Sequence, residues 1–132
     1  MAVYLSPQWL AEADAAVSAS EPLRSATADV CLVVQQDVTA GPDGDTCYHV
    51  VVDHGTVSVV PGPAAQPDVT FTEDHATAVA ISRGQLSAQG AFMVGRLRVG
   101  GDLERLLTHQ DAFAGIDDVF GHLRASTTWP TA

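Results

Sequence analysis

Apolar positions along this chain recur with two periods, and the changes between them divide it into elements. Trp9, Leu10, Ala13, Ala16 and Val17 fall at helical spacing behind Ser6-Pro7, a hydroxyl N-cap followed by proline at the first helical position. From Thr27 the period drops to two. Thr27–Val38 and Thr46–Asp53 read as strands around Gly41-Pro42-Asp43-Gly44-Asp45, and His54-Gly55 is a two-residue turn into a third strand, Thr56–Val60. Setting residue 38 opposite 46 and residue 53 opposite 56 gathers Val30, Leu32, Val34, Tyr48, Val50, Val52, Val57 and Val59 on one face. The other face carries Cys31, Val33, Gln35, Cys47, His49, Val51, Thr56 and Ser58 and suits solvent or a weak contact.

Pro61 through Pro67 cannot continue a ladder and form a connector. Val69 and Phe71 then point inward on a fourth strand. Thr72 is expected to cap a helix with Glu73 and Asp74 in its first turn, with Ala76, Val79, Ala80 and Ile81 on its apolar side and Arg83-Gly84 at its close. Phe92 and Met93 fall in a short loop. Leu97 and Val99 face one way and Arg96 and Arg98 the other, which predicts a half-buried strand between Gly95 and Gly100-Gly101. Asp102 caps a helix bearing Leu103, Leu106 and Leu107, and Asp111 caps a last helix bearing Phe113, Ile116, Val119, Phe120 and Leu123. Trp129-Pro130 falls in a polar tail. The order α-β-β-β-β-α-β-α-α predicts an α/β chain of the α+β type. One twisted five-stranded sheet carries its helices on one face, in a single domain over residues 1–132.

Composition excludes several classes. Hydrophobic residues make up 46% and charged ones 17%, the balance of a globular chain and not of a disordered tail. The formal net charge of -10 repels phosphate, so nucleic acid is excluded as a partner. Stable membrane insertion is excluded by the shortness of the longest apolar run, Val30–Val34. No signal-like segment opens the chain, which points to the cytoplasm, and arginine-only, alanine-rich usage points to a high-GC bacterial genome. Cys31 and Cys47 are expected to be free thiols.

The residues that could carry catalysis have plainer roles. The five histidines form neither His-x-His nor His-Glu-x-x-His, the cysteine spacing matches no zinc pattern, and Asp118 with His122 reads as a solvated helix pair. Ser82 and Ser87 sit at helix ends, no Gly-x-Ser-x-Gly elbow is present, and Gly100-Gly101 is no phosphate loop. No metal and no cofactor are expected. Among inward positions the one titratable side chain expected is Tyr48.

The segments Gly84-Gln85-Leu86, Ala91-Phe92-Met93-Val94-Gly95-Arg96-Leu97-Arg98 and Gly101-Asp102 with its leucine-rich helix follow one another in a single register. Together they resemble the sterol carrier protein 2 family, whose pattern runs Gly-Lys-Leu, Ala-Phe-Met-Gln-Gly-Lys-Leu-Lys, Gly-Asp and a Leu-rich helix. The resemblance is close from Asp68 to Leu107 and extends to the flanks in element order. Val94 stands where the family has glutamine, and arginines replace its lysines. The resemblance implies an apolar cavity between sheet and helices that sequesters or transfers a fatty acid, acyl thioester, sterol or similar lipid without catalysis. The residues it implicates, taken with the inward apolar positions, are Phe71, Val79, Leu86, Phe92, Met93, Leu97, Val99, Leu103, Leu107, Ile116 and Phe120. Two other readings remain open: an enzyme or enzyme accessory of lipid or secondary metabolism using the same pocket, and a module that dimerises through Cys31, Val33 and Val51. The expected state is a monomer or weak dimer.

Overall fold

The computed structural model describes residues 2–42 and 44–129. Asp43 of the first hairpin turn and Pro130 of the tail lie outside the described residues. A five-stranded sheet in the order β4-β3-β2-β5-β6 is built from β2 (Cys31–Gly41), β3 (Gly44–Asp53), β4 (Thr56–Pro61), β5 (Val69–Asp74) and β6 (Leu97–Gly101). Strands β2 and β5 run parallel, and the other neighbours are antiparallel. The hairpin registers agree with the alternation of apolar side chains: Val38 pairs with Thr46 and Asp53 with Thr56. His54 and Gly55 both take positive φ, 47° and 89°, the handedness that a two-residue hairpin requires.

Helices α1 (Pro7–Ala19), α2 (Glu21–Ala26), α3 (His75–Ser82), α4 (Ala88–Met93), α5 (Leu103–Thr108) and α6 (Gln110–Gly121) account for the helical segments. Ser6 caps α1 through the Trp9 amide, as its position before Pro7 predicts. Helix α1 buries Trp9, Leu10, Ala13 and Val17 against β4 and its neighbours, and Asp14 locks it there by accepting a 2.8 Å bond from the Val59 amide.

Several boundaries depart from the sequence reading. Residues 21–26 form α2, capped by Ser20, so β2 begins at Cys31 and not at Thr27. Strand β5 runs on to Asp74, and Asp74, not Thr72, caps α3 by accepting from the Thr77 amide at 2.8 Å. Glu73 is therefore a strand residue. The buried side of α3 is His75, Thr77 and Ala78, while Ala76 is exposed. Phe92 and Met93 end helix α4 and are not in a loop, and α6 begins at Gln110, one residue ahead of Asp111. Two short strands complete the fold: β1 (Ala2–Val3) pairs in parallel with β7 (Thr127–Thr128). That pairing lays Trp129 half-buried against the core, its ring 5.0 Å from Tyr4, and removes it from the polar tail in which it was expected.

Candidate ligand-binding site

The helix-facing side of the sheet is covered unevenly. On β2, β3 and β4 the inward residues Leu32, Val34, Val50, Val52, Val57 and Val59 are all buried. Inward positions follow by pairing across the sheet: Gln36 lies beside Phe71, and Phe71 beside Val99. Phe71 and Val99 face the same helices yet stay half-buried. The Phe71 ring meets Phe113 of α6 edge-on at 5.9 Å, and Leu97 is buried beside Glu73. Large apolar side chains also stand exposed before and after β6: Phe92 at 52% and Met93 at 76% on α4, Leu103 at 48% and Leu107 at 66% on α5.

The residues singled out from sequence thus separate into groups. Ile116 is buried within the main core, and Phe71, Val79 and Phe120 pack against that core while half-buried. Leu86, after α3, is half-buried. Leu97 and Val99 share the inward face of β6 with Phe71, whereas Phe92, Met93, Leu103 and Leu107 point outward. Helix α5 is tied to the sheet end by polar contacts, not by its leucines: Arg105 donates to the Cys31 carbonyl and lies 3.8 Å from Asp68, which in turn accepts from the Val33 amide at 2.7 Å.

Between α3, the ends of β2, β3 and β5, and the terminal strands lies a cavity of about 80 Å³. Its sheet wall is polar, made by Gln36, Tyr48 and Glu73. Tyr4, Trp9, Phe120 and Trp129 line its other sides, together with Ser82, Thr127, Asp117 and Arg124. Trp9 contacts Tyr4, Tyr48 and Phe120 at 5.0, 6.4 and 5.8 Å, and its indole N–H donates to Thr127 Oγ1 at 3.2 Å. Ser82 Oγ donates to the Tyr4 hydroxyl at 2.9 Å. Gln36 Oε1 is buried with no hydrogen-bond partner.

Glu73 is the unusual group. Burial pushes its carboxyl up to about 7, and the neighbouring Asp74 charge adds to the rise. Asp74 moves the other way, held low by its hydrogen bonds to Thr77. Burial also raises the Tyr4 and Tyr48 phenols. The expectation that Tyr48 would be the one titratable group on the inner face is therefore corrected: Glu73 joins it. Both Gln36 and Glu73 were readable from parity, since they continue the inward series Leu32-Val34 and Val69-Phe71, but polar identity and the helix-start look of Thr72-Glu73-Asp74 masked them. Tyr4 and Trp129 had no such signal, because their meeting depends on the β1–β7 pairing.

A second, open groove of about 360 Å³ separates α1 and α2 from α6, floored by Ala16, Leu23, Gly115 and Val119 with Asp118 and His122 at its edge. Among the described residues no helix is long and apolar enough to cross a membrane.

The sequence profile of the SCP-2 sterol transfer family matches residues 10–114. No curated protein matches the chain significantly by sequence. Among solved structures, a crystal structure of sterol carrier protein 2 superposes with a TM-score of 0.74 at 21% identity, over 89% of this chain and 97% of that one. A Thermus thermophilus protein described as possibly a sterol carrier protein gives 0.72 at 20% identity, over 90% and 88%. A palmitated SCP2-like protein of Aedes aegypti gives 0.58 at 26% identity, over 89% and 96%.

Proposed function

Because the chain belongs to the SCP-2 sterol transfer family, a membership that points to lipid binding or transfer, we propose that it holds a long hydrophobic ligand between α4–α6 and the β5–β6 half of its sheet, without catalysing a reaction on it. The observation that carries this reading is the uneven cover of the inner face. Valines under α1 are sealed, while Phe71, Val99 and Phe113 remain half-open and Phe92, Leu103 and Leu107 stand exposed nearby in sequence. An apolar chain laid along that half would bury all of these surfaces at once.

The energetics are adequate. Ten buried methylenes at about 0.8 kcal/mol each supply roughly 8 kcal/mol, and the protein side adds apolar area of its own. Association costs at least ~4 kcal/mol, so those ten methylenes alone leave roughly 4 kcal/mol, a millimolar affinity, and the rest of a sixteen-carbon chain at the same ~0.8 kcal/mol per methylene brings it toward micromolar. Uptake needs movement of α5, a six-residue helix with no buried side chain, which opens at little cost. The Aedes aegypti neighbour is described in its palmitated form, which supports an acyl chain as one class of ligand. A non-catalytic role is supported by the polar cavity, whose serine hydroxyl is engaged by Tyr4 and not by a base.

Displacement of a fluorescent fatty-acid probe by unlabelled sixteen-carbon ligands, together with native mass spectrometry of freshly purified protein, tests the proposal. Saturable binding at one equivalent is the expected result. Absence of probe binding at tens of micromolar protein would overturn it.

A further inference from the structure

The cavity beside α3 holds one interior charge and nothing to balance it. Glu73 reaches the space from β5, and among the described residues no cationic nitrogen lies within ion-pair distance of its carboxylate. The side-chain bond that Glu73 receives goes instead to its backbone carbonyl, from Thr39. At the rim Asp117 and Arg124 are both exposed and opposite in sign, so they offset one another. Most donors around the space are committed elsewhere. Ser82 Oγ donates to the Tyr4 hydroxyl, Tyr4 to the Ala78 carbonyl at 3.5 Å, and Thr127 Oγ1 to the Leu123 carbonyl at 2.5 Å. The Trp9 indole N–H goes to Thr127 and the Arg124 Nε to the Ser82 carbonyl. What the bonded hydroxyls keep is lone pairs, and Tyr48 can serve either way.

Aromatic rings supply the rest of the lining, and their faces attract cations. Arg83, which is exposed and outside the cavity, already places its guanidinium 5.8 Å from the Trp129 ring centre. A volume of about 80 Å³ admits a small ion on a short stem, while pockets for drug-sized ligands run to roughly 300–1,000 Å³.

We propose that this cavity binds a primary ammonium group on an unbranched alkyl stem, held by the Glu73 carboxylate against the aromatic rings. The site goes beyond the lipid reading and does not depend on it. An ammonium replaces the hydration it sheds with the carboxylate, hydroxyl oxygens and ring faces. An anion of the same size meets Glu73 and the negative ring faces, and a neutral alcohol leaves the carboxylate without a counter-charge. Burial without a cation is also why the carboxyl rises to about 7, so a proton and an ammonium compete for it. Affinity therefore climbs with pH as Glu73 ionises. The other titratable or charged groups around it are Asp74 on β5, Tyr4, Tyr48 on β3, Asp117 on α6, Arg124, and His75 of α3, whose ring lies 6.1 Å from Tyr4. A Glu73→Gln variant retains them all.

Both tryptophans of the chain line the cavity, so intrinsic fluorescence reads the site. Propylammonium is titrated at pH 8 against propan-1-ol, propionate and sodium chloride. A saturable change in the millimolar range is expected for propylammonium, about tenfold tighter than for any of the other three. Glu73→Gln should weaken it about tenfold, and so should lowering the unaltered protein from pH 8 to 5.5. The pH arm needs no variant and decides even where the substitution impairs folding. Glu104→Gln makes the same charge change on exposed α5 and should leave the affinity within about twofold, which separates the cavity from attraction to a surface of net charge -10. Dodecylammonium distinguishes the source of the amine: a gain of about tenfold or more identifies a lipid-borne head and equal affinity a free one, both upholding the site. No saturable change, an equal response to propan-1-ol or sodium chloride, or an affinity unmoved by both Glu73→Gln and acid overturns the inference. Displacement of a fatty-acid probe is read separately, so either reading can fail alone.

Discussion

Replacing Glu73 by glutamine should stabilise the protein at alkaline pH and leave it unchanged in acid. The carboxyl sits on the inward side of β5, faces Gln36, Tyr48 and Tyr4 across the cavity, and has Asp117 and Arg124 at the rim and Asp74 next in sequence. Its proton affinity is raised by folding, from 4.5 to about 7, so the native state keeps a proton that the unfolded chain has already released. Stability is therefore complete below pH 4.5, declines as pH rises through the window to 7, and stays diminished above it. At about 1.4 kcal/mol per tenfold change in affinity the ceiling is roughly 3 kcal/mol, and the partial exposure of the group reduces this to about 2 kcal/mol. The variant lacks the titration. Urea denaturation of both proteins at pH 4, 6 and 8 should show coincident midpoints at pH 4 and a gap of about 2 kcal/mol in favour of Glu73→Gln at pH 8, several degrees in thermal midpoint. All other ionisable groups are common to both, so the difference isolates this one. A gap independent of pH, or an unaltered protein that is the more stable at pH 8, would refute the burial argument.

Leu107→Asp should leave the unfolding free energy within about 0.5 kcal/mol by urea denaturation, because the leucine is 66% exposed, and should weaken probe binding by about tenfold if a ligand covers it; unchanged binding places the ligand elsewhere. Both thiols should titrate as free in denaturant, since Cys31 pairs with Asp53 and Cys47 with Asp37, some six rungs and ~20 Å apart. In the native state exposed Cys31 should react with a disulfide reagent first, and Cys47 slowly, its thiol pushed up to about 12 by burial and by Asp37. Gly101→Ala should destabilise by about 2 kcal/mol or more by urea denaturation, because φ is +85° and the added Cβ would collide with the Asp68 carbonyl. Sedimentation with vesicles should show weak binding that anionic lipid does not strengthen, given a net charge of -10.

The sheet was legible from sequence because each strand under the helices alternates cleanly and His54-Gly55 admits one hairpin geometry. Helix α2 was not, since six residues with a proline at the second position carry too short a period to register. The placement of the candidate site's residues was half legible. Phe71, Leu97 and Val99 followed from alternation, whereas Leu103 and Leu107 have the spacing of a packed stripe but lie on a six-residue helix held by Arg105, with no buried side chain of its own. Spacing reports which residues share a face, and only packing decides whether that face is covered. Gln36 and Glu73 escaped because a polar residue on an apolar face breaks the very pattern used to find the face.

The parallel pairing of Ala2–Val3 with Thr127–Thr128 has a kinetic consequence. It joins segments from opposite ends of the described chain, so nearly the whole polypeptide must be ordered before this contact stops costing loop-closure entropy. The hairpins of β2, β3 and β4 close far shorter loops and can assemble first. The terminal clasp, with Tyr4, Trp9 and Trp129 behind it, is then a late event absent from the folding transition state. Thr127→Ala, which removes the acceptor of the Trp9 indole, should accordingly steepen escape from the native state, raising the unfolding rate while the refolding limb of a chevron plot stays where it was. The aromatic wall of the cavity is in this sense a bolt thrown last, and its loss shortens the lifetime of the folded protein without slowing its formation.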